Sequence, residues 1–322
     1  MIKILKSNKI IVLFLIIVCI FFMIKPTICS NSCLNAISVW AFKILPVLFP
    51  FFILVRLIIN LIDIRPNVMD KLFNKMYHTP AGSFTTFFLS VISGYPIGAK
   101  LISTMYENKY IDQPSAKKLM SFCSLSGPMF MLGTVGIAIF NSYTAGLIIL
   151  ISNILGGLIN GLIYRGKKSP IENKTYTSKK SNNILTDSVY DSMQSILMVG
   201  GFVVLSFLLI DLLKNTYILS NISGTICSVF HCHNLQPVVE STLCGILEIT
   251  RGIIDLNTTQ TSLSVKTIIA SGLIGFGGIS IMLQSLSFVS KIKLPIKTVI
   301  LQKITQSVIT TIIAIPLCLI FL

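Results

Sequence analysis

Four interruptions carry the chemistry open to this sequence. They are Ser93-Gly94-Tyr95-Pro96-Ile97-Gly98-Ala99-Lys100, then Ser126-Gly127-Pro128, then Glu248-Ile249-Thr250-Arg251-Gly252, then Gly275-Phe276-Gly277-Gly278-Ile279-Ser280. Each falls near the middle of an otherwise apolar run. Pro96 has no N–H to donate and pushes Tyr95 out of the helical region. Gly94 and Gly98 permit a tight turn. Gly133 and Gly136 follow the second interruption. Broken helices are tolerated at membrane depth only where they line a cavity or pack on protein. Two interruptions in each half, in matching order, point to a transport site. The plainer alternative is glycine and proline that only ease helix packing.

The charges at these breaks narrow the chemistry. An ionisable group at membrane depth costs at least about 2.5–3.5 kcal/mol and usually serves function. Lys100 follows the first break, in the first turn of the second half-helix, where a cation opposes the positive helix end. An anion bound between them resolves that conflict. Arg251 follows the matching break in the second half. Two cations at two convergent breaks fit a small dicarboxylate or another anion; snorkelling to the headgroups is their plain alternative. Glu248 can take a proton, pair with Arg251 at i+3, or accept hydrogen bonds from a substrate. Glu240 is the other acid in that region. Ser93, Tyr95, Ser126, Thr250, Ser280 and Gln284 supply hydrogen-bonding side chains, and Lys43 and Arg56 are expected to snorkel. The candidate substrate-binding set is Ser93, Gly94, Tyr95, Lys100, Ser126, Gly127, Glu248, Thr250, Arg251, Gly275, Gly277, Gly278 and Gln284.

Enzyme signatures are missing. The stretch Gly94–Lys100 lacks the adjacent Gly-Lys-Ser/Thr of a phosphate loop, and Gly275–Ser280 lacks the third glycine of a dinucleotide fingerprint. There is no HExxH and no GxSxG. Cys19, Cys29, Cys33, Cys123, Cys227, Cys232, Cys244 and Cys318 form no CxxC pair, and most sit in or beside apolar runs as small hydrophobes. His231-Cys232-His233 is a poor metal site, because adjacent side chains splay apart. The expectation is a chain that is not an enzyme and has no cofactor and no metal.

The elements that must position these residues are membrane segments. Of 322 residues, 53% are apolar and only 11% charged, against about 25% charged in a soluble protein. Mean hydropathy is +0.84. This excludes a cytosolic enzyme, a nucleic-acid binder and a disordered chain. The net charge of +15 is a topology signal, since the cations cluster between apolar runs. Those runs lie at 10–24, 36–62, 83–105, 119–140, 145–164, 189–213, 217–230, 238–256, 267–289 and 298–321. The first, behind Lys3, Lys6 and Lys9, resembles a signal peptide; with no small-x-small cleavage site after it, an uncleaved span is the favoured reading and a cleaved signal the alternative. The 217–230 run is short and reads as re-entrant or interfacial.

With the N-terminus inside and 83–105 re-entrant, loops 1–9, 63–80, 106–118, 165–187 and 290–297 are cytoplasmic. They hold 18 Lys and Arg, against three outside: Lys25, Lys214 and Lys266. Segment 238–256 must then be re-entrant from the outside, and the two halves have opposite orientation; the plainer alternative, that 83–105 and 238–256 are ordinary spans, places either the Lys109, Lys117 and Lys118 loop or the 165–187 linker outside. The predicted fold is an all-α polytopic membrane protein of two inverted halves with broken and re-entrant helices. The predicted divisions are 1–35, a first transmembrane segment and loop; 36–164, the first half; 165–187, a cytoplasmic linker; and 188–322, the second half.

The four interruptions, in order and spacing over roughly residues 36–290, resemble the YlbJ (SpoVV) sporulation integral membrane protein family. The resemblance implies nucleoside-recognition (Gate) domains, similar in fold to concentrative nucleoside transporters. It implies a role in endospore formation, with export of dipicolinic acid from the mother cell across the outer forespore membrane. The substrate would be a small aromatic dicarboxylate; the lipid bilayer is the expected surrounding and nucleic acid is not an expected partner, as the composition already implies, and the resemblance leaves oligomeric partners open. Many relatives have a neutral residue where this chain has Arg251. A nucleoside or nucleobase transporter and a non-transporting scaffold of the forespore membrane are the alternative functions.

Overall fold

A computed structural model describes residues 12, 16, 18–95, 97–167 and 183–322. Expectations that rest on Lys3, Lys6, Lys9, Pro96 and the 168–182 part of the linker lie outside these residues. The first half contains α1 (Pro26–Leu61), α2 (Val68–Tyr77), α3 (Ser83–Ser93), α4 (Ile97–Glu107), α5 (Gln113–Cys123), a π-helix (Phe130–Ile139) and α6 (Tyr143–Ile163). The second contains α7 (Ile184–Asn215), α8 (Ile218–Val229), α9 (Gln236–Leu247), α10 (Ile249–Asn257), α11 (Leu263–Phe276), α12 (Gly278–Ile292) and α13 (Ile296–Phe321). The order repeats: a long helix, a short one, a pair broken at one point, a second broken pair, and a long helix.

Five stretches are long and apolar enough to cross a membrane: Pro26–Leu61, Tyr143–Ile163, Ile184–Asn215, Leu263–Ser285 and Ile296–Phe321. Their burial pattern is the reverse of a water-soluble bundle. In α13 the buried face carries Gln302, Lys303, Gln306 and Thr310, while Val308, Ile312, Leu319 and Ile320 are exposed. In α6, Ser152, Asn153 and Asn160 face inward and Ile151, Leu155, Ile159 and Ile163 face outward. Polar groups inside and branched apolar groups outside satisfy hydrogen bonds only if the outer solvent is lipid. This is a multi-pass membrane protein.

Two boundaries differ from the sequence reading. The first long helix starts at Pro26, so 26–35 is helix and not a loop. It continues through a π-helical turn at Trp40–Ile44, over which apolar residues prolong the span. Its 36 residues make about 54 Å, longer than the ~30 Å hydrocarbon core. At the linker, 184–187 already belongs to α7.

Corresponding elements of the two halves run antiparallel. Near one end of the molecule the Ser32 hydroxyl of α1 donates to Asp211 of α7 at 2.5 Å; near the other, Asn60 donates to Ser188 at 3.1 Å. Between α6 and α13, Gly156 faces Thr310 while the Asn160 amide donates to Gln302 O at 3.1 Å. Each early broken pair is a hairpin that enters and leaves at one end. Around α3–α4, the Tyr110 hydroxyl donates to Ile64 O at 3.4 Å. Around α9–α10, the Lys214 ammonium lies 3.7 Å from Glu240 and 2.8 Å from Asp255. The first hairpin opens at the Asn60–Ser188 end and the second at the Ser32–Asp211 end.

Short polar sequences set the helix ends. Asn67 and Asp70 form a reciprocal capping box at the start of α2, and His78 closes it in the left-handed region. Asp112, Ser142 and Ser262 accept from backbone N–H groups at the starts of α5, α6 and α11.

Candidate functional site

The four breaks meet in two pairs. Gly94, at φ +67, sits so close to the second break that a Cβ there would lie 2.3 Å from Gly127 N. Only glycine allows both that backbone and that approach. In the second half, Gly277 and Gly278 have φ +90 and +66, and a Cβ on Gly278 would lie 3.1 Å from the Ile249 side chain of the third break. The pairs meet across Tyr95, whose hydroxyl would lie 3.4 Å from a Cβ on Gly277. The fourth break is therefore narrower than its sequence signature.

Around this meeting point lies a cavity that admits water-sized centres over about 70 Å³, several times the ~10–15 Å³ that one water needs. Ser93, Tyr95, Ser126, Gly127, Glu248, Thr250 and Gln284 line it, joined by Ser280. The remaining wall is apolar: Leu48 and Phe52 of α1, Phe130 of the π-helix, Val199 and Val203 of α7. Every break contributes, so the second half-helices α4, π, α10 and α12 all start at the cavity with their positive ends. At one of them the opposing charge is built in. The Glu248 carboxylate caps α10, accepting from Arg251 N at 2.6 Å. Glu248 itself is 4% exposed.

Several candidates are not cavity residues. Lys100 reaches outward, 3.9 Å from Asp191 of α7, with both side chains about two-fifths exposed. Asp191 also lies 3.9 Å from Arg56, which is buried and donates to Ser195 at 3.3 Å rather than snorkelling. The guanidinium of Arg251 turns away from Glu248 to Asp211 at 2.9 Å and Asp255 at 3.0 Å, and stacks 5.0 Å from the Phe207 ring centre. The predicted pair of site cations is therefore a pair of ion-pair anchors to α7. Sequence spacing misleads here because Asp191 and Asp211 lie far along the chain. Gly275 allows helix contact instead: a Cβ there would lie 2.3 Å from the Thr310 hydroxyl of α13.

The cation next to the cavity is one that the sequence reading passed over. Lys303, on α13, is 4% exposed. Its ammonium donates to the Tyr95 hydroxyl, to Ser124 O and, at 2.9 Å, to the Gln306 amide oxygen. It lies 4.6 Å from the centre of the Tyr95 ring, which separates it from the main cavity. The signal was present: it is an ionisable residue in mid-span, flanked by Gln302 and Gln306 on the same helical face.

The chain is 27% identical over 305 residues to the sporulation integral membrane protein YlbJ of Bacillus subtilis (strain 168), covering 85% of this chain and 74% of that protein. No family model and no solved structure matches the chain.

Proposed function

Starting from the YlbJ family of sporulation integral membrane proteins, which this similarity supports, we propose that the chain is a transporter of a small planar dicarboxylate. In a spore former that substrate is dipicolinate, moved across the outer forespore membrane. The observation that carries this reading is the convergence of four helix breaks on one cavity. Broken helices at mid-membrane give a polar solute backbone and hydroxyl partners that an intact helix cannot offer. The aromatic and branched walls, Phe52, Phe130, Leu48 and Val203, suit the faces of a flat ring. The half-helix N-termini of α4, of the π-helix and of α12 suit its carboxylates; that of α10 is already taken by Glu248. The two hairpins open at opposite ends, so rocking one half against the other would expose the cavity to each side in turn.

A second reading is favoured by one observation. Among the described residues no Lys or Arg lines the cavity, and Glu248 and Gln284 do, which suits an uncharged ring with donors and acceptors, such as a nucleobase.

Flux into proteoliposomes separates the two. Labelled dipicolinate should be taken up by wild-type protein and lost in Ser126→Trp, which fills the cavity. Uptake of nucleosides without dipicolinate would overturn the first reading. In cells, deletion should leave dipicolinate in the mother cell and empty the spore core of it. The topology is tested by accessible cysteines: Lys109→Cys should label from the cytoplasmic side only and Thr258→Cys from the other. Labelling of both from one side would remove the inverted arrangement.

A further inference from the structure

We propose that the Lys303 ammonium is a tethered cation standing where a coupling alkali-metal ion would otherwise bind, so that this chain transports its solute without bound sodium. The inference rests on the transport reading above and concerns how the same site is powered.

The surroundings of Lys303 are those of a metal cation and not of an ion pair. Helix α5 ends at Cys123, and the Ser124 carbonyl stands at its negative end. Unwound carbonyls at half-helix C-termini are where coupling ions are held in broken-helix transporters. Ser124 O receives the Lys303 ammonium and, at 2.5 Å, the Tyr95 hydroxyl. The Tyr95 and Gln306 oxygens complete the set that Lys303 itself contacts, and the Ser285 side chain lines the same small pocket. Among the described residues no carboxylate lies within ion-pair distance of Lys303. A buried ammonium without a carboxylate is costly. Neutral oxygens and the end of a helix dipole offset that cost here, as they would for a metal ion.

The position also links the cation to the solute. Tyr95 faces the main cavity on one side and Lys303 on the other. A residue between the first break and the last helix ties the first half to the second. The positive charge reinforces the field at the cavity without lining it, which a small anion requires and a nucleobase does not.

The test removes the tether and offers free cations back. In proteoliposomes, wild-type dipicolinate flux should be the same in sodium, potassium and choline salts. In Lys303→Ala, flux in choline should fall on the order of tenfold, the equivalent of about 1.4 kcal/mol. Sodium or ethylammonium, which can enter the vacated space, should restore much of it. Independently of transport, the melting temperature of the detergent-solubilised alanine variant should rise with sodium or ethylammonium concentration and not with choline, while the wild type shows no such rise. A wild type that needs sodium for flux or is stabilised by it overturns the proposal. So does an alanine variant with wild-type flux in choline, or one that no cation rescues or stabilises. If Lys303→Ala does not fold, Lys303→Met keeps most of the stem without the charge; the proposal then requires a folded protein with impaired flux in every salt, and wild-type flux in this variant overturns it. If wild-type protein moves no dipicolinate, the transport reading fails, and the melting experiment still decides whether Lys303 occupies a cation site.

Discussion

In the hairpin α9–α10 the cation that follows the break is held by two carboxylates, Arg251 lying 2.9 Å from Asp211 and 3.0 Å from Asp255. In the hairpin α3–α4 the corresponding cation, Lys100, stands 3.9 Å from the single carboxylate Asp191 and shares it with Arg56. The side chains of the first cluster are 15–18% exposed, those of Lys100 and Asp191 44% and 42%. Both hairpins use the same helix, α7, as their anchor. The second is fixed to it, and the first is held by a contact that water and salt weaken. The difference in fastening suggests which hairpin moves when the cavity changes sides: α3–α4, the one with the weaker anchor.

The largest effect should come from the stronger fastening. Arg251→Ala strands Asp211 and Asp255 in a half-buried pocket that Lys214 only partly neutralises. Breaking a buried pair from one side costs about 3–5 kcal/mol, and here the lower part of that range applies because the cluster is not fully dry. The measurement is the melting temperature in detergent, and an unchanged value would remove the distinction between the hairpins.

Next come the glycines that close each hairpin. A Cβ on Gly252 would lie 2.2 Å from Gly245 Cα, within the same hairpin, whereas a Cβ on Gly94 would meet Gly127, in the neighbouring break. Overpacking costs about 1–3 kcal/mol. Gly252→Ala should therefore splay α9 from α10 and lower stability. Gly94→Ala should push the first break off the second, abolish flux and lower the melting temperature at least as much, because φ +67 adds backbone strain to the clash. If Gly94→Ala retains wild-type flux, contact between the first two breaks is not part of the site.

A smaller change should follow Glu248→Ala. The lost cap at α10 costs about 0.5–2 kcal/mol. It also leaves a fourth positive helix end facing the cavity. Stability should fall slightly while binding of a dicarboxylate, read by equilibrium titration, should strengthen. Weaker binding would mean that Glu248 contacts the solute and that the uncharged-ring reading is the better one.

The breaks were legible because each rests on local chemistry: glycine at positive φ at Gly94 and Gly277, and an acid three residues before the N–H it caps at Glu248. Local spacing also gave the cavity hydroxyls Ser93, Ser126 and Thr250, since they sit on the breaks themselves. What the charges do was only partly legible: helical spacing offers Asp255, four residues on, as a partner of Arg251, but not Asp211. Lys100 and Arg251 stand at the expected positions, yet their partners on α7 are chosen by tertiary packing, which turns both side chains away from the cavity. Lys303 escaped for the complementary reason. It interrupts no helix, and its partner Tyr95 is 208 residues away, so only the assembled bundle shows what it touches. The helix boundary at Pro26 was obscured because Lys25 and Pro26 read as a loop, although proline is well tolerated in a first helical turn.

The smallest effect belongs to Lys100, and it sharpens the comparison most. A half-exposed pair 3.9 Å apart is worth about 0–1 kcal/mol, so Lys100→Ala should leave the melting temperature nearly unchanged. A double-mutant cycle gives the finer measurement, because it isolates the pair from each residue's other contacts. Lys100→Ala with Asp191→Ala should show coupling below about 1 kcal/mol, and lower still in high salt. Arg251→Ala with Asp211→Ala should couple by more and respond less to salt. Flux adds the functional half of the argument. Loosening an already loose hairpin should alter the rate modestly and leave dipicolinate affinity alone, since Lys100 does not line the cavity. A large loss of affinity in Lys100→Ala would return this lysine to the site, and equal coupling in the two cycles would show that both hairpins are fastened alike.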